Sequence, residues 1–272
     1  MTVAACLKWV DLRPEVDPLS GFVDHDVRST DMSDSDQAAL EWALRAGSAW
    51  GEPVLTITAG PAGAGAILRH ALAVGAATAT LVDVAADASS EVVAASLADH
   101  LGGCRLVVCG DQSLDRGSGA VPAYLAAHLE AAQALGLVAV ELGEPGVVTA
   151  LRRLDGGRRE RLRVAGRAVC SVEGSTARLR RAALAAVLAA PMAAIDVRPG
   201  PVHHPDPPRP TRPYRPRARV LAAPHGDTAL DRVRQLTTTV VATSHRQPEA
   251  LEPAAAAERL LAALVTWGYR QG

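Results

Sequence analysis

Arg105-Leu106-Val107-Val108-Cys109, running straight into Gly110-Asp111-Gln112-Ser113-Leu114-Asp115-Arg116-Gly117-Ser118-Gly119, is the most telling stretch of this chain. A short apolar run rich in Val, bounded by Gly and a polar loop, reads as a buried strand. The Ala- and Leu-rich residues from Ser118 to Leu135 that follow read as a helix. Strand, Gly-rich loop and helix together make half of a βαβ unit, in which crossover helices cover the faces of a parallel sheet. Small residues at Gly117 and Gly119 let backbone amides approach an anion at the positive end of that helix, and Ser118 can add a hydroxyl. A nucleotide phosphate is the natural guest; an ordinary strand-to-helix turn capped by Ser fits the spacing equally well.

Working outward, the same alternation holds from Thr2 to about Glu141. Apolar runs at Val3 to Val10, Pro53 to Ala59 and Ala77 to Val84 read as strands, and Ser35 to Trp50, Gly63 to Val74 and Ser89 to Leu101 as helices. Ser33-Asp34-Ser35-Asp36 carries the side-chain oxygens that cap a helix start, ahead of an apolar face of Ala39, Leu40, Ala43 and Leu44. Beyond residue 135, Val147 to Leu154 and Arg159 to Val164 flank Asp155-Gly156-Gly157 and read as a β-hairpin, followed by a strand at Ala168 to Val172 and a helix at Arg181 to Leu188. Arg198 to Arg217 is dense in Pro and Arg and reads as an extended linker. A last helix, Ala254 to Trp267, places Leu260, Leu261, Leu264 and Trp267 on one face that wants a docking surface. The expected fold is α/β: a doubly wound, mainly parallel sheet with an added hairpin and an extended C-terminal arm ending in a helix. The expected domains are 1–197, the linker 198–217 and the arm 218–272.

Acidic and basic residues nearly cancel to a net charge of −1, which gives no nucleic-acid footprint. No apolar run approaches the roughly 18 residues that span a bilayer, and the N-terminus lacks a basic region followed by an apolar stretch, so a cytoplasmic protein without direct membrane insertion is expected. The four cysteines, Cys6, Cys104, Cys109 and Cys170, lie in or beside apolar stretches and read as buried free thiols. His70, His100 and His128 fall on helices among Ala and Leu, and His203, His204 and Asp206 lie in the Pro-rich segment, where no rigid scaffold holds them for metal or acid–base work. Gly60 to Gly65 resembles a dinucleotide-binding loop, but its pattern ends in Leu68 and no acidic residue follows at the right distance, so a Gly-rich turn that starts a helix is the better reading. Without a nucleophile and base, paired carboxylates or a ligand cluster, a binding or carrier role is favoured over hydrolysis or group transfer.

Taken in order, the motifs resemble the β subunits of electron-transfer flavoproteins over roughly residues 2 to 198. Lys8-Trp9-Val10 is similar to the Lys-x-Val ending their first strand, and Glu41-Trp42-Ala43 to their Glu-x-Ala. Gly60-Pro61 and Arg69 to Ala76 match a Gly-Pro and an Arg-x-Ala-Leu-Ala-x-Gly-Ala. Gly110, Gln112, Asp115 and Gly119 keep a Gly-x-Gln-x-x-Asp-x-x-x-Gly loop, and Gly156-Gly157, Ala168-Val169 and Val187-Leu188 fall where the family has a hairpin turn, a strand and a helix.

The resemblance implies a Rossmann-like, adenine nucleotide α hydrolase-like domain and a heterodimer. In it, an α subunit holds most of a redox-active FAD and the β subunit holds AMP, or a second FAD in its place. Its partners would be that α subunit, a dehydrogenase as electron donor, and a quinone oxidoreductase or other acceptor. The implied nucleotide site comprises Cys6, Ser33, Asp34, Ser35, Asp36, Ala59, Gly110, Asp115, Arg116, Gly117, Ser118, Gly119, Ala120 and Val121, with the amides of Arg116 to Gly119 around the phosphate. Arg178, Arg180, Arg181 and Leu184 fall in the implied partner-recognition loop. Two stretches depart from the family pattern: Ser33-Asp34-Ser35 replaces an Asn-Pro-Phe, and the recognition loop has turned basic. A stand-alone nucleotide-binding module of the universal-stress type and an NAD-dependent oxidoreductase are the alternatives. The C-terminal arm, which serves a partner, argues against the first, and the incomplete glycine pattern against the second.

Overall fold

The computed structural model of the chain describes residues 1–201, 223–237 and 251–266. In chain order these form β1 (Thr2–Cys6), β2 (Trp9–Asp11), β3 (Glu15–Val16), β4 (Val23–Asp24), β5 (Thr30–Met32), α1 (Asp34–Trp50), β6 (Val54–Gly60), α2 (Gly65–Val74), β7 (Thr78–Asp83), α3 (Ser90–Leu101), β8 (Cys104–Gly110) and α4 (Val121–His128). They continue with β9 (Ala132–Leu142), β10 (Val147–Arg153), β11 (Arg159–Ala165), β12 (Ala168–Val172), α5 (Leu184–Ala189), β13 (Asp196–Pro199), α6 (Ala229–Thr237) and α7 (Pro253–Thr266).

Nine strands make one sheet in the order β11-β10-β9-β12-β8-β1-β6-β7-β13. All pairs from β9 to β13 along that order are parallel, and only β9–β10 and β10–β11 are antiparallel. Successive side chains of a strand point to opposite faces, so both faces of a parallel sheet must be covered. Val3 and Ala5 of β1 meet Leu40, Ala43 and Leu44 of α1 and Ile67 and Ala71 of α2 on one face. Ala4 and Cys6 meet Leu97 and Leu101 of α3 and Leu125 of α4 on the other. From β1 the chain first builds outward through β6 and β7 and then returns to lay β8 on the opposite side, so the switch point of the sheet lies between β1 and β8. In such sheets the crevice for a ligand opens there, beyond the carboxyl ends of the strands.

Four local readings are corrected. The helix expected over Ser118 to Leu135 ends at His128: Glu130 adopts a left-handed φ of 48° and β9 begins at Ala132. The Ala-rich composition favours a helix there, but the gap between β12 and β10 needs a strand, and tertiary pairing overrides propensity. The register slips near Gly136, whose amide donates to the Ser171 hydroxyl at 2.9 Å. Val3 to Val10 is two strands, because after Cys6 the chain leaves the sheet and β2 pairs with β5. The helix expected at Arg181 to Leu188 is the shorter α5. Asp196–Pro199, the last strand, carries the chain past residue 198 along β7 before the Pro-rich segment.

Two compact units, Met1–Tyr214 and Arg215–Gly272, divide the chain. In the second, α6 exposes Leu230, Val233 and Leu236, a spacing that puts them along one side of a helix. Most of the expected terminal helix is α7, which exposes Leu260, Leu261 and Leu264. Trp267, most of the Pro/Arg-rich linker, and His203, His204 and Asp206 lie outside the described residues. Among the described residues, no helix is long and apolar enough to cross a membrane.

Candidate functional site

A cleft of about 780 Å³ opens beyond the carboxyl ends of β1, β6 and β8, within the range that holds nucleotide-sized ligands. Its floor is made by Cys6, Ala59, Cys109 and Gly110, and its walls by the loops after β6, β7 and β8. The small strands β2 to β5 form a flap on the remaining side, with Val10, Asp11, His25 and Thr30 facing in. Asp11 anchors this flap: its buried carboxylate accepts from the Ser29 hydroxyl, from the Arg13 amide at 2.9 Å and meets His25 Nδ1 at 3.3 Å.

Two helices start at the cleft. At α1, Ser33 accepts from the Asp36 amide at 3.1 Å and donates to the Asp36 carboxyl at 2.7 Å, a reciprocal cap, and Asp34 adds a second acid to the first turn. At α4 there is no side-chain cap and no acid in the first turn, and Pro122 has no amide to offer. Among the described residues, the amides of Ser118, Gly119, Ala120 and Val121 meet no protein acceptor. The loop before them is held tight: Ser113 donates its amide to the Ser118 carbonyl at 2.9 Å and accepts from the Gly117 amide at 2.7 Å. A Cβ at Gly119 would lie 2.2 Å from the Asp111 carbonyl, and one at Gly110 would lie 2.8 Å from the Ser35 hydroxyl, so both close approaches need glycine.

Side chains lock the rim. Lys8 Nζ reaches both Asp115 oxygens at 2.6 and 2.7 Å and the Ser113 hydroxyl at 2.7 Å. Burial opposes the ionisation of Asp115, but the bonds from Lys8 and Ser113 outweigh it and hold its carboxyl below the ordinary carboxylate value. Arg116 turns away from the loop and donates to the carbonyls of Ala88 at 2.6 Å and Ala86 at 2.8 Å, tying the loops after β7 and β8 together. Asp36 faces the floor of the cleft and is 6% exposed; burial pushes its carboxyl up to about 7, against the bonds from Ser33. Cys109 is raised well above its usual value, first by its contact with Cys6 and then by burial, and burial takes Cys170 to about 12, so these thiols stay protonated. All four cysteines are free and buried, as the sequence led us to expect.

Of the expected nucleotide-site residues, Cys6, Asp36, Ala59, Gly110, Asp115, Arg116, Ser118, Gly119 and Val121 line the cleft. Ser33 and Ser35 stand behind its wall, Asp34 is exposed on the outer side of α1, and Gly117 and Ala120 set the turn. The Gly117 amide, expected beside a phosphate, is taken by Ser113. Gly63 of the dinucleotide-like loop packs against Trp9, where a Cβ would sit 3.1 Å from the ring, so its small size serves packing. The latch residue Lys8 was placed in the right loop by sequence but not among the site residues; the signal was that it is the only lysine in the chain.

In the expected recognition loop, Arg178, Arg181 and Leu184 are exposed, Leu184 at 74%. Arg180 behaves differently: its guanidinium holds the buried Glu41 carboxylate at 2.9 and 3.2 Å, and its amide does so at 3.2 Å, while Arg45 bonds the same carboxylate at 2.8 Å. Burial resists ionisation of Glu41, yet these donors together hold its carboxyl below the ordinary value.

The sheet order, the cleft at its switch point and the bare helix start define a doubly wound α/β domain with its crevice at the strand ends. The model of the electron transfer flavoprotein domain matches residues 21–198, well over half of the chain. The chain therefore belongs to the electron-transfer flavoprotein family, whose members are electron carriers rather than enzymes and work with dehydrogenases and partner subunits. No curated protein matches the chain closely enough to narrow this further.

Proposed function

We propose that this chain is the β-type subunit of a heterodimeric electron-transfer flavoprotein. It would hold AMP, or a second FAD in its place, in the cleft, while an α subunit holds most of the redox FAD. The observation that carries this reading is the uncapped start of α4, where residues with unpaired amides, Ser118, Gly119 and Val121, line an apolar cleft large enough for a nucleotide. The donor set suits a phosphate, since the helix end is positive and its first turn holds neither an acid nor a side-chain cap. The lining suits an adenosine moiety: Cys6, Ala59, Val93 and Leu97 offer apolar contact and exclude water.

In this assignment Ser118, Gly119 and Val121 bind and orient the phosphate, Gly110 and Gly119 let the backbone come close, and Lys8 and Arg116 hold the rim loops in place. FAD in the assembled complex supplies the chemistry of taking electrons from a dehydrogenase and handing them to a quinone oxidoreductase or other acceptor. The exposed Arg178, Arg181 and Leu184, with Leu188 and Met192 alongside, form the surface that would meet a partner. The apolar faces of α6 and α7 are the segments that would dock on the α subunit.

Co-expression with a flavin-bearing α-type subunit tests the reading. It predicts a one-to-one yellow complex whose flavin absorbance bleaches when a dehydrogenase and its substrate are added. A chain that purifies alone and colourless from that co-expression overturns it.

A further inference from the structure

The cleft contains an acid where an anion is to be bound. Asp36 lies on α1 with its carboxyl at the floor of the cleft, more than nine-tenths buried, and one of its oxygens takes the Ser33 hydroxyl at 2.7 Å. A buried carboxylate needs a counter-charge or several strong donors; here the Ser33 hydroxyl and the backbone amides of Ser33 and Lys8 favour the ionised form, and burial outweighs them. The nearest cation, Lys8 just beyond β1, has its ammonium bonded to Asp115 and Ser113, and its charge offsets only part of the burial of Asp36. Facing Asp36 from β8 is Cys109, in register with Cys6 on β1; its thiol, raised by the contact with Cys6 and by burial, stays protonated and supplies no charge. The other ionisable groups around the cleft are Asp115 and Arg116 in the loop after β8, each already paired, and Asp11 with His25 on the flap. Asp34 on its own helix and Asp111 beyond β8 add further acid and no compensation.

Resting on the nucleotide reading, we propose that Asp36 is the specificity-determining residue of the cleft: it admits an anionic ligand together with a proton on its own carboxyl, and resists that ligand once ionised. The phosphate at α4 and a charged Asp36 share one low-dielectric cavity, so their repulsion is poorly screened. A protonated Asp36 removes the repulsion and leaves an O–H that can still bond Ser33 or the ligand. Binding an anion therefore raises the affinity of Asp36 for its proton, and the cleft takes up a fraction of a proton from solvent with the ligand. Burial has already brought this carboxyl close to neutral pH, so the coupling falls in a physiological range.

The test is calorimetric titration of the full chain with AMP at about pH 7 and about pH 8.5, between which the ligand's phosphate, mostly ionised already, changes charge little. Two buffers of different ionisation heat read the proton uptake. We expect binding about tenfold weaker at the higher pH, with buffer-dependent heat. We expect Asp36→Asn to bind equally at both, without proton uptake, and adenosine to show a much smaller pH effect. Asp36→Ser, which keeps a hydroxyl for Ser33, serves if the asparagine variant does not fold, and the proton uptake of the unaltered chain needs no variant at all. AMP binding with the same affinity at both pH values and no proton uptake overturns the proposal and leaves the nucleotide reading standing. No AMP binding at any pH, including about pH 6, overturns both.

Discussion

The starts of α1 and α4 face the same cleft and are finished in opposite ways. Helix α1 neutralises itself: Ser33 and Asp36 cap one another, the Asp36 amide has the Ser33 hydroxyl as its partner, and Asp34 adds a second acid. Helix α4 has neither cap nor acid, and its amides stay open to the cleft. Every helix must satisfy its first amides somehow. A helix that leaves its amides open, beside an apolar cavity at the switch point of a sheet, is the one on which the proposed ligand site rests, whereas one that caps itself serves the scaffold and sets the charge of the cavity.

The largest effect should come from crowding the α4 side. Gly119→Val drives a side chain into the Asp111 carbonyl, so the loop must shift. AMP affinity should fall by two orders of magnitude or more, with a loss of about 1–3 kcal/mol in stability, read by calorimetry and thermal melting. Next is the acid on the α1 side. Asp36 has a folded-state pKa of about 7, far above its ordinary value, so its contribution is full at low pH and lost as pH rises toward and through 7. Across that window the unaltered chain should lose roughly 4 kcal/mol from this group alone, and Asp36→Asn should flatten the curve. Denaturant unfolding between about pH 4 and 8 checks the sign; stability that rises with pH in both proteins would break the contrast between the two helix starts.

Smaller effects sharpen it. Ser33→Ala should cost about 1 kcal/mol through the lost cap, with AMP affinity at low pH changed little, because α1 does not hold the ligand. Lys8→Met removes a half-exposed ion pair and should cost under about 1 kcal/mol. Its clearer sign is acid sensitivity. Asp115, held below its ordinary value, contributes stability above that value and loses it as pH falls, so the variant should lose less stability than the parent on acidification. Melting curves at about pH 3 and about pH 6 distinguish the two.

Much of this contrast was legible in the residues themselves. Ser33-x-x-Asp36 announced a capped start, and Gly117-Ser118-Gly119 an approachable one, because capping is local chemistry. The alternation of apolar runs and amphipathic segments gave the parallel core for the same reason. The extent of α4 was not legible. Ala126 to Leu135 carries helical composition on both sides of the break, and only the vacancy between β12 and β10 makes Ala132 onward a strand. The Lys8 latch and the Arg180–Glu41 pair were hidden because they join residues 107 and 139 positions apart, a separation no local pattern encodes. Arg180 in particular looked like part of a basic recognition surface, and its fixed partner is visible only once α1 and the loop after β12 lie side by side.

The most direct test is a mass spectrum of the small molecules released when the purified chain, co-expressed with its flavin-bearing partner, is denatured. The account predicts an adenine nucleotide, AMP or FAD, in about one-to-one proportion to this chain, lost in Gly119→Val and kept in Ser33→Ala. Release of no adenine nucleotide beyond the partner's own flavin, or equal loss in both variants, would contradict it.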